Sequence, residues 1–241
     1  MRSRDKIGGT AGLADWLFGG VCYLCRGECG NGLLCAPCAA DLPRLQRNRC
    51  PRCALPTEHG TVCGRCIGNP PQYDGTTAAF AYAFPVDVLT QGLKFRSELA
   101  LAPLLGHELA TEIETATEPR TLRDVDLVVP VPLHTDRLAR RGYNQSMEIA
   151  REVAVRLGLP LAADICERVR DTPAQIELPW KDRVENVRGA FSCRRAVDAR
   201  CIAVVDDVMT TGATLAEIAA TLKKFGAAKV VNWVVARTLI D

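Results

Sequence analysis

Residues 204–214 read VVDDVMTTGAT, an apolar strand that runs into two adjacent carboxylates, then threonines and a glycine. Thr210, Thr211, Gly212, Ala213 and Thr214 stand at the head of a helix expected over 213–225, whose Leu215, Ile218, Ala219, Leu222 and Phe225 share one face. The first N–H groups of a helix have no intrahelical partners. Small side chains let an anion reach them and hydroxyls add donors, so this half is a phosphate cradle. Asp206 and Asp207 would repel that phosphate and must face another part of the same ligand. Ribose hydroxyls donate to carboxylates and lie close to a 5′-phosphate, so a ribose 5-phosphate satisfies acids and loop together. Neighbouring strand residues point to opposite sides, which gives the two acids separate roles. The competing reading, an acid pair holding magnesium in a Walker-type nucleotide site, needs a GxxxxGK(S/T) loop, and the chain has none.

The cysteines offer a second chemistry. Nine of the twelve lie between Cys22 and Cys66. They form four CxxC pairs, Cys22/Cys25, Cys35/Cys38, Cys50/Cys53 and Cys63/Cys66, with nine residues separating the pairs of each half. Each CxxC turn presents two thiolates to one metal, and a short hairpin returns a second pair to complete a tetrahedron. The repeat predicts two structural zinc ions, one on Cys22, Cys25, Cys35 and Cys38, the other on Cys50, Cys53, Cys63 and Cys66, with Cys29 left over. A set of disulfides or a thiol-redox site is the competing reading. It fits less well with matched pairs and no export signal. Six arginines against three acids lie between residues 22 and 70, several of them in RLQRNRCPR. They either form a local nucleic-acid patch or offset the thiolate charge.

Around these residues the chain alternates strands and helices. TTAAFAYAF (76–84), VDLVVPV (125–131), 201–205 and KVVNWVVA (229–236) read as strands. Residues 98–115, a segment capped by Asn144 and ended by Gly158, and 213–225 read as helices. The stretch 112–124 reads as a surface loop. This order predicts a mostly parallel sheet covered on both faces, with ligands at the C-terminal strand ends. A second loop sits at such an end: VPVPLHTDRLARRGYNQS carries Arg137, Arg140 and Arg141, which are either natural partners of a pyrophosphate or an exposed basic helix start. His134 there is read as structural or solvent-facing.

VVDDVMTTGAT resembles the phosphoribosyl pyrophosphate (PRPP) signature of type I phosphoribosyltransferases. Together with RxxRRGYNQ, GLKFRSELALAPLLG and TPAQIELPWKDRVENVRGAF, it makes the chain similar, from Cys22 to about Arg237, to the ComF/GntX-like group. The resemblance implies a type I phosphoribosyltransferase-like sheet flanked by helices and preceded by a double zinc ribbon. It implies that Asp206 and Asp207 hold the ribose hydroxyls, and that 210–214 hold the 5′-phosphate of PRPP with Mg2+. Lys94, Arg96, Arg137, Arg140 and Arg141 become candidates for pyrophosphate or partner contacts. Gln175, Arg183 and Asn186 match the group's middle motif, with no chemistry assigned. The group is associated with natural competence and DNA uptake, so the rival to an enzyme is a non-catalytic accessory protein that binds single-stranded DNA or docks a helicase-like translocase.

The 241 residues suffice for an α/β domain and a small module, expected as 1–72 and 73–241. A net charge of +2 does not announce a nucleic-acid partner, and no run approaches a membrane span. Asp15 interrupts the apolar part of the N-terminus, which is read as mature protein of the cytoplasm. Leu13, Trp16 and Leu17 instead suggest a short docking helix over 11–20.

Overall fold

The computed structural model describes residues 20–116, 124–171, 182–197 and 200–239. The docking helix expected over 11–20 lies outside them except for Gly20, as does Gln175. The chain divides into two compact units, Met1–Leu42 and Pro43–Asp241, so the dividing line falls between the two cysteine repeats.

In the first unit, β1 (Gly20–Val21) pairs antiparallel with β2 (Glu28–Gly30), and α1 (Ala36–Ala40) follows. In the second unit, the short α2 (Gly64–Gly68) carries Cys66. Four strands then form a parallel sheet: β3 (Gly75–Ala81), β4 (Leu127–Pro130), β7 (Cys201–Met209) and β8 (Lys229–Arg237), in the order β3-β8-β7-β4. This is the mostly parallel, helix-flanked sheet that the alternation predicts. β5 (Cys166–Arg168) and β6 (Phe191–Cys193) make a separate antiparallel ribbon.

The helices are α3 (Val86–Phe95), α4 (Leu101–Ala116), α5 (Thr135–Arg141), α6 (Gln145–Leu157), α7 (Asp182–Val187) and α8 (Ala213–Lys224). β7 is apolar without alternation because both faces are covered. Ile202 and Val204 join a cluster with Leu215, Ile218 and Leu222 of α8, while Ala203 and Val205, one residue out of phase, are equally buried. α4 and α6 pack closely. A Cβ on Gly106 would stand 2.5 Å from Cβ of Glu152, so only glycine permits that approach. Asn144 caps α6 as expected, its Oδ1 accepting from the N–H groups of Ser146 (3.0 Å) and Met147 (3.4 Å).

Two sequence expectations need correction, and two helices are additions to them. α4 continues to Ala116, so the first part of 112–124 is helical: Ile113 is buried on the same stripe as Leu105 and Leu109. α3 and α5 were not anticipated. β7 does not stop at Val205 but carries both aspartates and ends at Met209, because β8 runs alongside and pairs Asp206 with Val234 and Met209 with Arg237.

Candidate functional site

β7 delivers Asp206 and Asp207 in strand geometry, and each is held from a different helix. The Ser146 hydroxyl of α6 donates to Asp206 Oδ1 at 2.8 Å, as does the Asp207 N–H at 3.0 Å. Lys94 Nζ of α3 lies 3.7 Å from Asp207 Oδ2, which is buried and accepts no hydrogen bond. Burial, and then the neighbouring charge of Asp207, push the Asp206 carboxyl up to about 8, against the opposing hydrogen bond from Ser146. Asp206 therefore holds its proton more tightly than a solvent-exposed carboxyl does.

After Met209 the chain turns through Thr210 and Thr211 to Gly212, the N-cap of α8. Gly212 has φ of 83°, and a Cβ there would lie 2.7 Å from Met209 Cε and 2.9 Å from the Tyr73 hydroxyl. Thr211 Oγ1 accepts from Ala213 N–H at 3.1 Å and tightens the turn. Asp206, Met209, Thr210, Gly212 and Thr214 line one cleft, so the structure brings one acid and the loop to the same opening. Arg237, at the end of β8, is only 1% exposed and supports the turn from beneath. Its guanidinium donates to the carbonyls of Met209 (3.0 Å), Thr210, Thr238 (2.8 Å) and Cys53 (2.8 Å).

The cysteines fall into the two expected sets. In each, the four sulfurs lie within 4.8 Å of one another, and Cys25–Cys35 and Cys53–Cys63 are 3.6 Å apart. A tetrahedral zinc with bonds of about 2.3 Å sets its sulfurs about 3.8 Å apart, so both sets fit structural zinc ions. Each half repeats one backbone device: the residue after the second cysteine, Arg26 or Ala54, has left-handed φ of 64° or 58°.

A double zinc ribbon domain family matches residues 13–67. The "DNA utilization protein YhgH" of Salmonella typhimurium is 36% identical over 91% of this chain and 98% of its own. "Competence protein F" of Haemophilus influenzae is 32% identical over 90% and 96%. The chain belongs to the ComF/GntX-like family. Among solved structures, the Bacillus subtilis glutamine PRPP amidotransferase shares 25% identity over 55% of this chain and 25% of its own, with a TM-score of 0.37.

The motifs by which this ComF/GntX-like chain resembles its group are spread around the acids. Arg137 and Arg140 of α5 converge on Asp171, at 3.3 and 4.0 Å. Arg141 donates to Gln145 and lies over the Phe95 ring at 5.8 Å. Tyr143 donates to the Leu93 carbonyl, which ties the RRGYNQ stretch to α3. His134 is the N-cap of α5, its Nδ1 accepting from Asp136 N–H at 3.3 Å. With Asp136 and Asp171 it could face a cation, but that nitrogen is occupied and Asp171 is held by arginines. Asn186 lends its carbonyl to Arg170 at 3.1 Å. In the cysteine-rich stretch, Arg44 pairs with Glu108 at 2.7 Å, Arg49 with Glu112, and Arg52 with Asp74 at 3.6 Å, so these three arginines have acidic partners.

Sequence reasoning missed Ser146, Tyr73, Arg168 and Arg237. The Arg168 guanidinium is held below its ordinary range by burial and then by Arg137, while Asp171 and Asp206 oppose that shift. Arg237 left one signal: a cation closing the strand directly after the apolar run WVVA.

Among the described residues, no helix is long and apolar enough to cross a membrane.

Proposed function

We propose that the sheet unit of this family member binds PRPP with Mg2+ and transfers its phosphoribosyl group to an acceptor, in the cytoplasm and in the setting of DNA uptake. The carrying observation is the buried Oδ2 of Asp207, which accepts no hydrogen bond and faces the Lys94 ammonium at 3.7 Å, followed by a helix start that leaves no room for a side chain. A buried acceptor without a donor is costly, and a ribose hydroxyl is a donor of the right size and chemistry. The N–H groups of the 210–214 turn receive the 5′-phosphate.

In the transfer, an acceptor atom bonds to the anomeric carbon. The bond from that carbon to pyrophosphate oxygen breaks, and pyrophosphate leaves with the electron pair. Mg2+, when bound, neutralises charge building on the pyrophosphate oxygens. The aspartates hold the ribose hydroxyls and favour the cationic sugar of the transition state. On this reading Lys94, Arg137, Arg140 and Arg141 serve as cationic partners of the departing group, Lys94 by exchanging Asp207 for it and Arg137 and Arg140 by exchanging Asp171.

Calorimetric titration with PRPP and Mg2+ tests the reading. Wild type is expected to bind, and Asp207→Asn to lose about 100-fold or more in affinity, because the amide offers one acceptor where the carboxylate offered two and carries no charge. Equal heats for both proteins would sink the site.

A second reading, a single-stranded DNA accessory, draws on the relatives' names and on Phe95. This ring is 65% exposed, with Lys94 at 5.7 Å and Arg141 at 5.8 Å from its centroid, a stacking surface with cations beside it. On that reading Phe95→Ala weakens oligonucleotide binding by about tenfold in a salt series. Unchanged binding would remove it.

A further inference from the structure

The second ribbon is built into the floor of the ligand loop. Cys50, Cys53, Ala54, Cys66 and Tyr73 belong to the same buried cluster as Met209, Ala213 and Leu215. The Pro51 carbonyl accepts from Thr76 N–H of β3 at 3.1 Å. Arg52 donates to the Tyr73 carbonyl at 3.1 Å and pairs with Asp74, which in turn holds Lys223 of α8 at 2.8 Å. Two side chains then reach from this floor to the loop. The Tyr73 hydroxyl closes the space beside Gly212. Arg237 bridges the Cys53 carbonyl to those of Met209 and Thr210.

We infer that Arg237 is a positioning residue that makes the second zinc site, and not the first, a determinant of the phosphoribosyl loop. The Cys53 carbonyl faces Arg237 because the CxxC turn closes on itself. Cys50 N–H donates to the Leu55 carbonyl at 2.7 Å, Ala54 N–H donates to the Cys50 carbonyl at 2.9 Å, and Ala54 is held left-handed. Alanine does not rest there unaided, so metal on the four sulfurs keeps the carbonyl in place. Zinc with four thiolates also carries about two negative charges. It therefore stands as the counter-charge to a guanidinium that meets only carbonyls. Loss of zinc from Cys50, Cys53, Cys63 and Cys66 removes both supports, and the Met209–Gly212 turn loosens. Among the described residues, the carbonyls that hold Arg237 all belong to the second unit.

The inference rests on the phosphoribosyl reading only for its ligand. Amide hydrogen exchange over residues 209–214 in the full-length protein tests it without ligand, and PRPP titration adds the binding consequence. Cys66→Ser is expected to lose one zinc by elemental analysis, to exchange about tenfold faster in this loop and to bind PRPP about tenfold more weakly. Arg237→Lys, with both zinc ions retained, should show the same loop effect, since lysine has no counterpart of the Nε–H that holds the Cys53 carbonyl while the terminal nitrogen holds those of Met209 and Thr210. Cys25→Ser should lose one zinc and leave loop and affinity unchanged. Exchange in β7 residues 201–205 reports general stability. Wild-type loop exchange in Arg237→Lys, or equal effects of Cys25→Ser and Cys66→Ser, would overturn the inference. Should Cys66→Ser fail to fold, Arg237→Lys decides. Failure of wild type to bind PRPP removes the proposed ligand and leaves the exchange result standing.

Discussion

At pH 9, Asp206→Asn is expected to unfold at a higher temperature than wild type, by on the order of 10 °C. Asp206 is buried and keeps its proton up to a pH of about 8 in the folded protein, whereas an unfolded aspartate loses it near pH 4. Between these limits the folded state binds more protons than the unfolded one, so stability falls as pH rises. Above pH 8 the whole penalty is in force, on the order of 5 kcal/mol if nothing relaxes. Asparagine keeps an oxygen to accept from Ser146 and from the Asp207 N–H, and has no charge to bury. Thermal melts from pH 5 to pH 9 should therefore slope downward for wild type and run nearly flat for the variant. Parallel melts would show that Asp206 is already ionised in the folded state. The stabilised variant should also be the poorer binder. PRPP affinity of wild type should rise between pH 7 and 8, as the ligand takes the ionised form, and Asp206→Asn should abolish that rise. On the proposed function, stability held back at this strand end keeps two carboxylates ready for a diol.

What the sequence disclosed follows from how local each signal is. VVDDVMTTGAT contains its whole argument in eleven residues, and the CxxC repeats contain theirs in two spacings, so acids, loop and cysteine sets were all legible. The rest depends on neighbours that are distant along the chain. β7 extends past Val205 only because β8 pairs with it, and no pattern within VVDDVM announces that partner. Lys94 reads as a free cation for pyrophosphate, yet α3 sets it against Asp207. Arg44, Arg49 and Arg52 read as a basic stretch, and their partners Glu108, Glu112 and Asp74 lie 22 to 64 residues away. The expected boundary after residue 72 follows the cysteine repeat, whereas packing groups the second repeat with the sheet. Repetition of the CxxC spacing carries no information on which surface each ribbon covers.

Gly212→Ala is expected to weaken ligand binding about 100-fold while leaving the sheet folded. Two separate obstacles meet at this residue. Its φ of 83° costs an L-residue about 1–2 kcal/mol wherever it occurs. The added methyl would also stand 2.7 Å from Met209 Cε and 2.9 Å from the Tyr73 hydroxyl. The methionine end can swing away. Tyr73 is buried among Cys50, Cys53 and Cys66 and cannot, so the turn must move toward the cleft. That displacement shifts the N–H groups on which a 5′-phosphate would rest, and a shift approaching 1 Å in such a cradle costs about 100-fold in function. Tyr73→Phe in the same background removes the hydroxyl and part of the crowding, and leaves the φ penalty intact. The double variant should therefore regain part of the affinity and little of the stability. Calorimetry with PRPP, paired with thermal melts, separates the two contributions. Wild-type affinity in Gly212→Ala would show that the loop does not hold the phosphate. Rescue of stability without rescue of affinity would show that Tyr73 does not set the loop's position.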